Sequence, residues 1–266
     1  MKHILLIITA LFVTVGNADV VMGIVPQQSP LKLLKMWEPI AEYLSEKTSE
    51  KVIFKTEKSI SKFEEVLYKG GYDFAYMNPF HFIVANKVQG YEARVRATKN
   101  LRGILVQKKA SQKNKSIDNN SRFLFPAPNA FAATLLIKYD LVQKYNVNLS
   151  VLNKALYVNS HDSVYKGISR GIGDFGGGIE RTFNNLNDMK TKNALLVVHR
   201  TKAYPSHPFA FNPTMPQKLQ KQLSDALLTM PNSYLKPLNI KALKAVNNDE
   251  YNSVRELAIK LKIMPK

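Results

Sequence analysis

The stretch YKGGYDFAYMNP, residues 68–79, reads as the last turn of a helix, a glycine stop and a strand that opens on an acid. SRGIGDFGGG, residues 169–178, has the same grammar. Aligning Gly71-Tyr72-Asp73-Phe74 with Ile172-Gly173-Asp174-Phe175 brings strand, cap, helix and strand into register across both segments. Upstream of the first copy, DVVMGIV (19–25) and KVIFKT (51–56) are β-rich runs. Between them Leu34, Trp37, Ala41 and Leu44 recur at helical spacing, with a break expected at Pro39. Ser59 or Ser61 caps a helix whose Phe63, Val66 and Leu67 form one face, Gly70-Gly71 stops it, and Asp73 to Tyr76 is a third strand. This alternation predicts an α/β fold with a mostly parallel sheet covered by helices.

In the second copy, KALYVNS (154–160) is a strand, Ser160 or Asp162 caps a short helix that Gly171 ends, and Asp174-Phe175 opens another strand. Between the copies, RFLFPAPNAFAATLLIKYDLV (122–142) gives a buried strand at Phe123 to Phe125, a rigid turn at Pro126 and Pro128, and Asn129 as the cap of the following helix. Free N–H groups and the helix dipole make such a strand-to-helix junction an anion site. Two α/β lobes whose strands end at a common crevice would write the grammar twice and hold a small ligand between them. Any two βαβ units share much of the same pattern, so the repeat alone does not decide it.

The 266 residues, 45% hydrophobic and 10% aromatic, can bury one large core or two modest ones, which excludes disorder. Residues 1–18 follow the rule of a secretory signal peptide: Lys2 and His3, an apolar run from Ile4 to Val15, and small residues at Gly16 and Ala18. The mature chain is expected to start at Asp19 and to lie in the periplasm. There is no cysteine, so neither a disulfide nor a lipid-modified cysteine supports or anchors it. The formal charge of +18 invites a nucleic-acid reading. The excess is scattered lysine, however, and the densest run, QKKASQKNK (107–115), has no interleaved aromatics to stack bases and reads as a solvated loop. No nucleic-acid partner is expected, and the charge instead draws small anions toward a cleft.

Catalysis and metal binding are not expected. SHDS (160–163) places Ser, His and Asp side by side, whereas a triad is made by spatial geometry. Gly176-Gly177-Gly178 lacks the Lys and Ser or Thr of a phosphate-cradling loop and is expected to let backbone approach the ligand or the partner lobe. His81, His161, His199 and His207 show no paired ligand spacing. No cofactor is implied.

Four stretches, taken together, carry a resemblance over nearly the whole mature chain: GIVPQQSPLKLLKMWEPIAEYLSEKT (23–48), FEEVLYKGGYDFAYMNPFHF (63–82), FPAPNAFAATLL (125–136) and NSHDSVYKGISRGIGDFGGGIERTF (159–183). In order and spacing they resemble the periplasmic solute-binding proteins of phosphate, phosphite and phosphonate uptake. That resemblance implies a two-lobed type II periplasmic binding fold in which two crossing strands hinge the lobes. The first lobe would be residues 19–104 plus 203–266 and the second 105–202, with crossings near RGILVQ (102–107) and VVHRTKAYP (197–205).

The same resemblance places the ligand. An aromatic at the end of the first-lobe strand is matched by Tyr76, with Asn78 two residues on. The helix N-terminus that holds the phosphonyl group, rich in Ser and Thr in the family, is here Asn129, Ala130, Phe131 and Ala132. His161 and Asp162 match the pair that opens the second-lobe helix. The missing hydroxyls disfavour phosphate itself. Phe131 either joins Tyr76 against a flat or apolar part of an acidic ligand or packs into the lobe core. The implied partners are a small anion and either a membrane permease, for uptake, or a membrane sensor kinase or cyclase, with the protein itself a monomer.

Overall fold

Short apolar runs alternating with amphipathic helices build two sheets. The computed structural model describes residues 19–111 and 116–264, so the signal segment lies outside the described residues. In chain order the elements are β1 (Val20–Ile24), α1 (Pro30–Thr48), β2 (Val52–Thr56), α2 (Ile60–Leu67), β3 (Phe74–Tyr76), α3 (Pro79–Gln89), β4 (Glu92–Ala97), β5 (Leu101–Lys108) and β6 (Phe123–Phe125). A π-helical segment (Phe131–Leu136) then runs into α4 (Ile137–Tyr145), followed by α5 (Leu149–Asn153), β7 (Leu156–Tyr157), α6 (His161–Ser169), β8 (Phe175–Ile179), α7 (Glu180–Asn184), α8 (Met189–Asn193) and β9 (Leu195–Tyr204). The chain ends with β10 (Pro208–Phe211), α9 (Gln217–Leu228), α10 (Asn232–Leu235), β11 (Leu243–Ala245) and α11 (Asn252–Lys260).

The first sheet has the order β11-β4-β10-β3-β1-β2 and the second β7-β6-β8-β5-β9. The chain passes to the second sheet between Ala97 and Leu101 and returns between Tyr204 and Pro208. The boundaries expected at 104/105 and 202/203 thus fall inside β5 and β9, a few residues from the passages.

Both sheets are mixed, with β1, β2, β3 and β4 in the first and β6, β7, β8 and β9 in the second running in one sense, as the mostly parallel expectation has it. β1 runs parallel to β2 and β3, and β6 runs parallel to β7 and β8. β10 is antiparallel to both β3 and β4, β11 to β4, and β5 to β8 and β9. Two of the reversed strands, β5 and β10, follow directly on the inter-lobe passages, and the direction in which a crossing strand enters a sheet is not written in its β-rich composition.

The repeat holds as a set of equivalent hydrogen bonds at one constant offset. Asp73 accepts from Val21 N at 2.7 Å, and its own N–H donates to Val21 O at 3.1 Å. Asp174 accepts from Arg122 N at 2.9 Å, and its N–H donates to Arg122 O at 2.9 Å. Ser59 caps α2 by accepting from Lys62 N, and Ser160 caps α6 by accepting from Ser163 N. Gly70 and Gly171 end those helices at φ +75° and +82°, a region in which glycine has no Cβ penalty. The second copy therefore begins at β6, upstream of the 154–160 strand where the sequence placed it, and β7 proves to be a two-residue edge strand.

Helix α1 runs unbroken through Pro39. Pro39 and Lys35, whose carbonyl loses its intrahelical donor, are both exposed, which leaves that carbonyl open to solvent. Its buried stripe is Leu33, Trp37, Ile40 and Leu44, and Leu34 is turned outward.

Along β5 the two-residue period directs Ile104 and Val106 to a core shared with Val164 and Ile168 of α6, while Leu105 faces Phe125, Ile137 and Leu141 on the α4 side. Gly177 permits this packing: a Cβ there would lie 2.0 Å from Ala133 O, and one on Gly103 would lie 2.3 Å from Ala132 O. The glycine run thus admits elements of its own lobe, where the sequence reading had ligand or the partner lobe. Among the described residues no helix is long and apolar enough to cross a membrane.

Candidate ligand-binding crevice

The carboxyl ends of β1 and β3 point at the second lobe and deliver the loop Pro26 to Ser29 and Tyr76 to the space between them. Two small chambers lie there. One, of about 30 Å³, is lined by Gln27, Gln28, Trp37 and Tyr76 from the first lobe and by Arg181, Thr182 and Asn185 from α7 and its end. The other, of about 10 Å³, is lined by Asn78, Ala130, Phe131, Ala132, His161 and His207. Gln27 and Val25 border both.

The aromatic wall is built on Tyr76, whose ring lies 4.8 Å from Trp37 and stacks on His207 at 5.2 Å and 20°. Arg181 reaches over the Tyr76 ring at 5.9 Å, a cation–π distance. No ion pair to Arg181 occurs among the described residues, although Glu180 beside it pairs with Arg200 at 3.2 Å. Gln28 is 8% exposed, and its Nε2 has no hydrogen-bond partner among the described residues.

The smaller chamber opens on a helix start. Ala130 is the capping residue and no side chain bonds there, so Asn129 is not the cap that the sequence suggested. Asn129 instead donates through Nδ2 to Glu64 at 3.3 Å, and its carbonyl accepts from Asn78 Nδ2 at 3.2 Å. The first turn is wound as a π-helix, a form common at functional sites, and Thr134 N and Leu135 N share the carbonyl of Ala130 at 2.8 and 3.3 Å. The N–H groups of Phe131, Ala132 and Ala133 precede that bond and have no helical acceptor. The hydroxyl of Thr134 donates to Ala127 O at 2.7 Å and is already committed. Phe131 is buried in an apolar cluster that joins both lobes and meets Tyr204 edge-on at 5.5 Å while also lining the chamber.

His161 opens α6. Its N–H donates across the crevice to Gln27 O at 3.2 Å, and its Nδ1 lies 3.2 Å from the Thr182 hydroxyl. Burial, reinforced by Arg181, pushes its pKa down to about 3. His207 is held well below the usual histidine range by burial first, then by Arg181, His161 and His81, and its Nε2 lies 2.6 Å from Gln27 Nε2. With the Gln27 amide as donor, His207 keeps its proton on Nδ1, which finds no partner among the described residues. Both rings are therefore neutral hydrogen-bonding groups at neutral pH.

Of the residues expected from sequence, Tyr76 lines the larger chamber, and Asn78, Ala130, Phe131, Ala132 and His161 line the smaller one. Asn78 also caps α3 by accepting from His81 N at 2.8 Å. Asn129 and Asp162 line neither chamber, and Asp162 lies 3.9 Å from Lys32 across the lobes. Ser160, His161 and Asp162 make no hydrogen bonds to one another: Ser160 meets Ser163, and His161 meets Thr182. No group of three or more His, Asp or Glu placed to hold a metal ion occurs among the described residues. Sequence reasoning missed Gln27, Gln28 and Arg181, although the rule that ligands sit beyond strand carboxyl ends points at the residues after β1 and β8. His207 carried no such signal, since it arrives from the return passage.

Residues 22–251 match the family described as the ABC transporter, phosphonate, periplasmic substrate-binding protein. The chain belongs to that family. Among solved structures, this family member is similar in fold to PhnD1 from Prochlorococcus marinus in complex with methylphosphonate, at 17% identity and a TM-score of 0.85, with 92% of this chain and 99% of that chain covered. A binding-protein component of an ABC phosphonate transporter from Pseudomonas aeruginosa matches at 17% identity and a TM-score of 0.84, covering 93% of this chain and 87% of the other. The periplasmic VFT2 domain of BvgS from Bordetella pertussis shares the fold more distantly, at 13% identity and a TM-score of 0.56, over 83% of this chain and 92% of that one. As a phosphonate-binding family member, the chain is a periplasmic solute-binding protein of the ABC-transporter type.

Proposed function

We propose that this binding protein closes its two lobes on a small phosphonate-class anion and delivers it to a membrane permease, without chemical change to the ligand. The observation that supports this reading most directly is the helix start at Phe131 to Ala133, whose N–H groups open on a chamber walled by both lobes and lined by no carboxylate. In this reading the phosphonyl oxygens accept from those N–H groups, His161 and Asn78 approach from opposite lobes, and Tyr76 covers the organic substituent. Inorganic phosphate is the poorer ligand, because no free hydroxyl stands at the helix start to serve its fourth oxygen.

The chain is exported and cut after Ala18, acts as a monomer, and hands its cargo to a permease and not to a sensor kinase. N-terminal sequencing of the periplasmic fraction checks the cut. Calorimetric titration with methylphosphonate, phosphite and phosphate checks the ligand: methylphosphonate or phosphite should bind more tightly than phosphate. Absence of binding to all three would overturn the reading.

A further inference from the structure

In the function just proposed the larger chamber takes only the organic substituent beneath Tyr76, whereas its chemistry is more specific than that. Among the described residues Arg181 presents a guanidinium without a carboxylate partner and Gln28 a buried amide nitrogen without an acceptor, and Tyr76 and Trp37 supply a flat apolar wall. A planar donor fork with an additional N–H is the complement of a carboxylate, which accepts on two oxygens and buries its face against aromatic carbon. The nearby acids line neither chamber and are turned to other partners: Glu180 to Arg200 at 3.2 Å, Asp162 to Lys32 at 3.9 Å and Glu64 to His81 at 2.9 Å. An ammonium group would therefore meet Arg181 with no counter-charge.

Resting on the phosphonate reading of the smaller chamber, we infer that the ligand is a short phosphonate carrying a second acidic group, a carboxyalkylphosphonate, whose carboxylate is held by Arg181 and Gln28. The two heads then lie on either side of Gln27, which borders both chambers. Arg181 and Gln28 become the residues that set specificity, choosing a carboxylate tail over an alkyl or aminoalkyl one.

The test is calorimetric titration of the mature protein, stripped of resident ligand by unfolding and refolded, with phosphonoacetate, methylphosphonate and 2-aminoethylphosphonate. Phosphonoacetate should bind at least ten-fold more tightly than methylphosphonate, and 2-aminoethylphosphonate more weakly than either. Arg181→Gln should lower phosphonoacetate affinity at least ten-fold more than it lowers methylphosphonate affinity, Arg181→Lys should restore part of the loss, and Gln28→Leu should reproduce it in smaller measure. Methylphosphonate or the amine binding as tightly as phosphonoacetate, or Arg181→Gln weakening all three equally, would overturn this inference and leave the phosphonate reading standing. Binding of none of the three would remove that reading and this inference with it. Unchanged thermal unfolding of the variants separates a lost contact from a lost fold.

Discussion

The backbone N–H of His161 donates to the carbonyl of Gln27 at 3.2 Å, joining the start of α6 in the second lobe to the loop after β1 in the first. The bond depends on α6 beginning where it does, and Ser160 fixes that beginning. Ser160→Ala should cost about 1 kcal/mol of stability and weaken ligand binding about five-fold. Ser59→Ala, at the equivalent cap, should cost the same stability with affinity unchanged. Thermal unfolding and titration of both variants check this, and equal loss of affinity in the two would sink the link between cap and crevice.

Two glycines in the second copy should fail for different reasons. Gly171→Ala meets nothing within 4 Å but must hold φ +82°, at a cost of about 1–2 kcal/mol. Gly177→Ala drives a Cβ to 2.0 Å from the carbonyl oxygen of Ala133, a backbone atom with no room to yield, and should cost about 3 kcal/mol or more. In unfolding temperature the difference is several degrees, at about 2–4 °C per kcal/mol for a chain of this length. A milder effect for Gly177→Ala than for Gly171→Ala would contradict the packing of the π-helical segment on β8.

Acid should destabilise the closed protein through its histidines. His161 binds its proton in the folded state only near pH 3, whereas an unfolded histidine does so near 6.5. Below that value the unfolded chain takes up more protons than the folded one, so stability rises with pH across the window and is lost on acidification, by on the order of 1 kcal/mol per pH unit for each such group. His207, shifted in the same direction, adds to the slope. Unfolding followed from pH 7 to 4.5 should show this slope flattened in His161→Gln and His207→Gln. Carboxylates such as Glu250, held low by Arg96 and Lys244 against the opposing effect of burial, lose their stabilising charge only at lower pH.

Phe131 sits both in the shared apolar cluster and at the rim of the smaller chamber, so its replacement separates stability from selectivity. Phe131→Ser should cost about 3 kcal/mol or more of stability as a buried aromatic is removed, yet improve phosphate binding relative to methylphosphonate by supplying a hydroxyl at the helix start. His161→Ala should weaken every phosphonate about ten-fold to a hundred-fold through loss of a crevice hydrogen bond. Titration of both variants with phosphate and methylphosphonate decides this, with unchanged His161→Ala affinities the outcome that rejects the site.

What could be read from the sequence was whatever a local rule fixes. Ser59 and Ser160 cap, Gly70 and Gly171 stop, and Asp73 and Asp174 open strands because short-range backbone geometry demands those residue types. Asp73 and Asp174 each also clasp a strand 52 residues upstream, a tertiary task that a local pattern only hints at. Asn129 misled because a Pro-Asn step resembles a cap, whereas its amide is drawn to Glu64 of the other lobe. Pro39 misled because a helix breaker is harmless where the freed carbonyl faces water. In the sequence Arg181 is one cation among many, and only its place over the Tyr76 ring, with the adjacent Glu180 turned to Arg200, sets it apart.

The central position of β10 in the first sheet, between β4 and β3, has a bearing on how the chain comes to be folded at all. Until residues 208–211 are available, β4 and β11 have nothing through which to join β3, β1 and β2. The second sheet, by contrast, is assembled from a single uninterrupted run of chain, β5 to β9. During synthesis β1, β2 and β3 can pair with one another, but β4 must wait for both its neighbours, which are encoded in the last quarter of the chain. Such a delay suits a polypeptide that has to be threaded through a membrane before it is allowed to become compact.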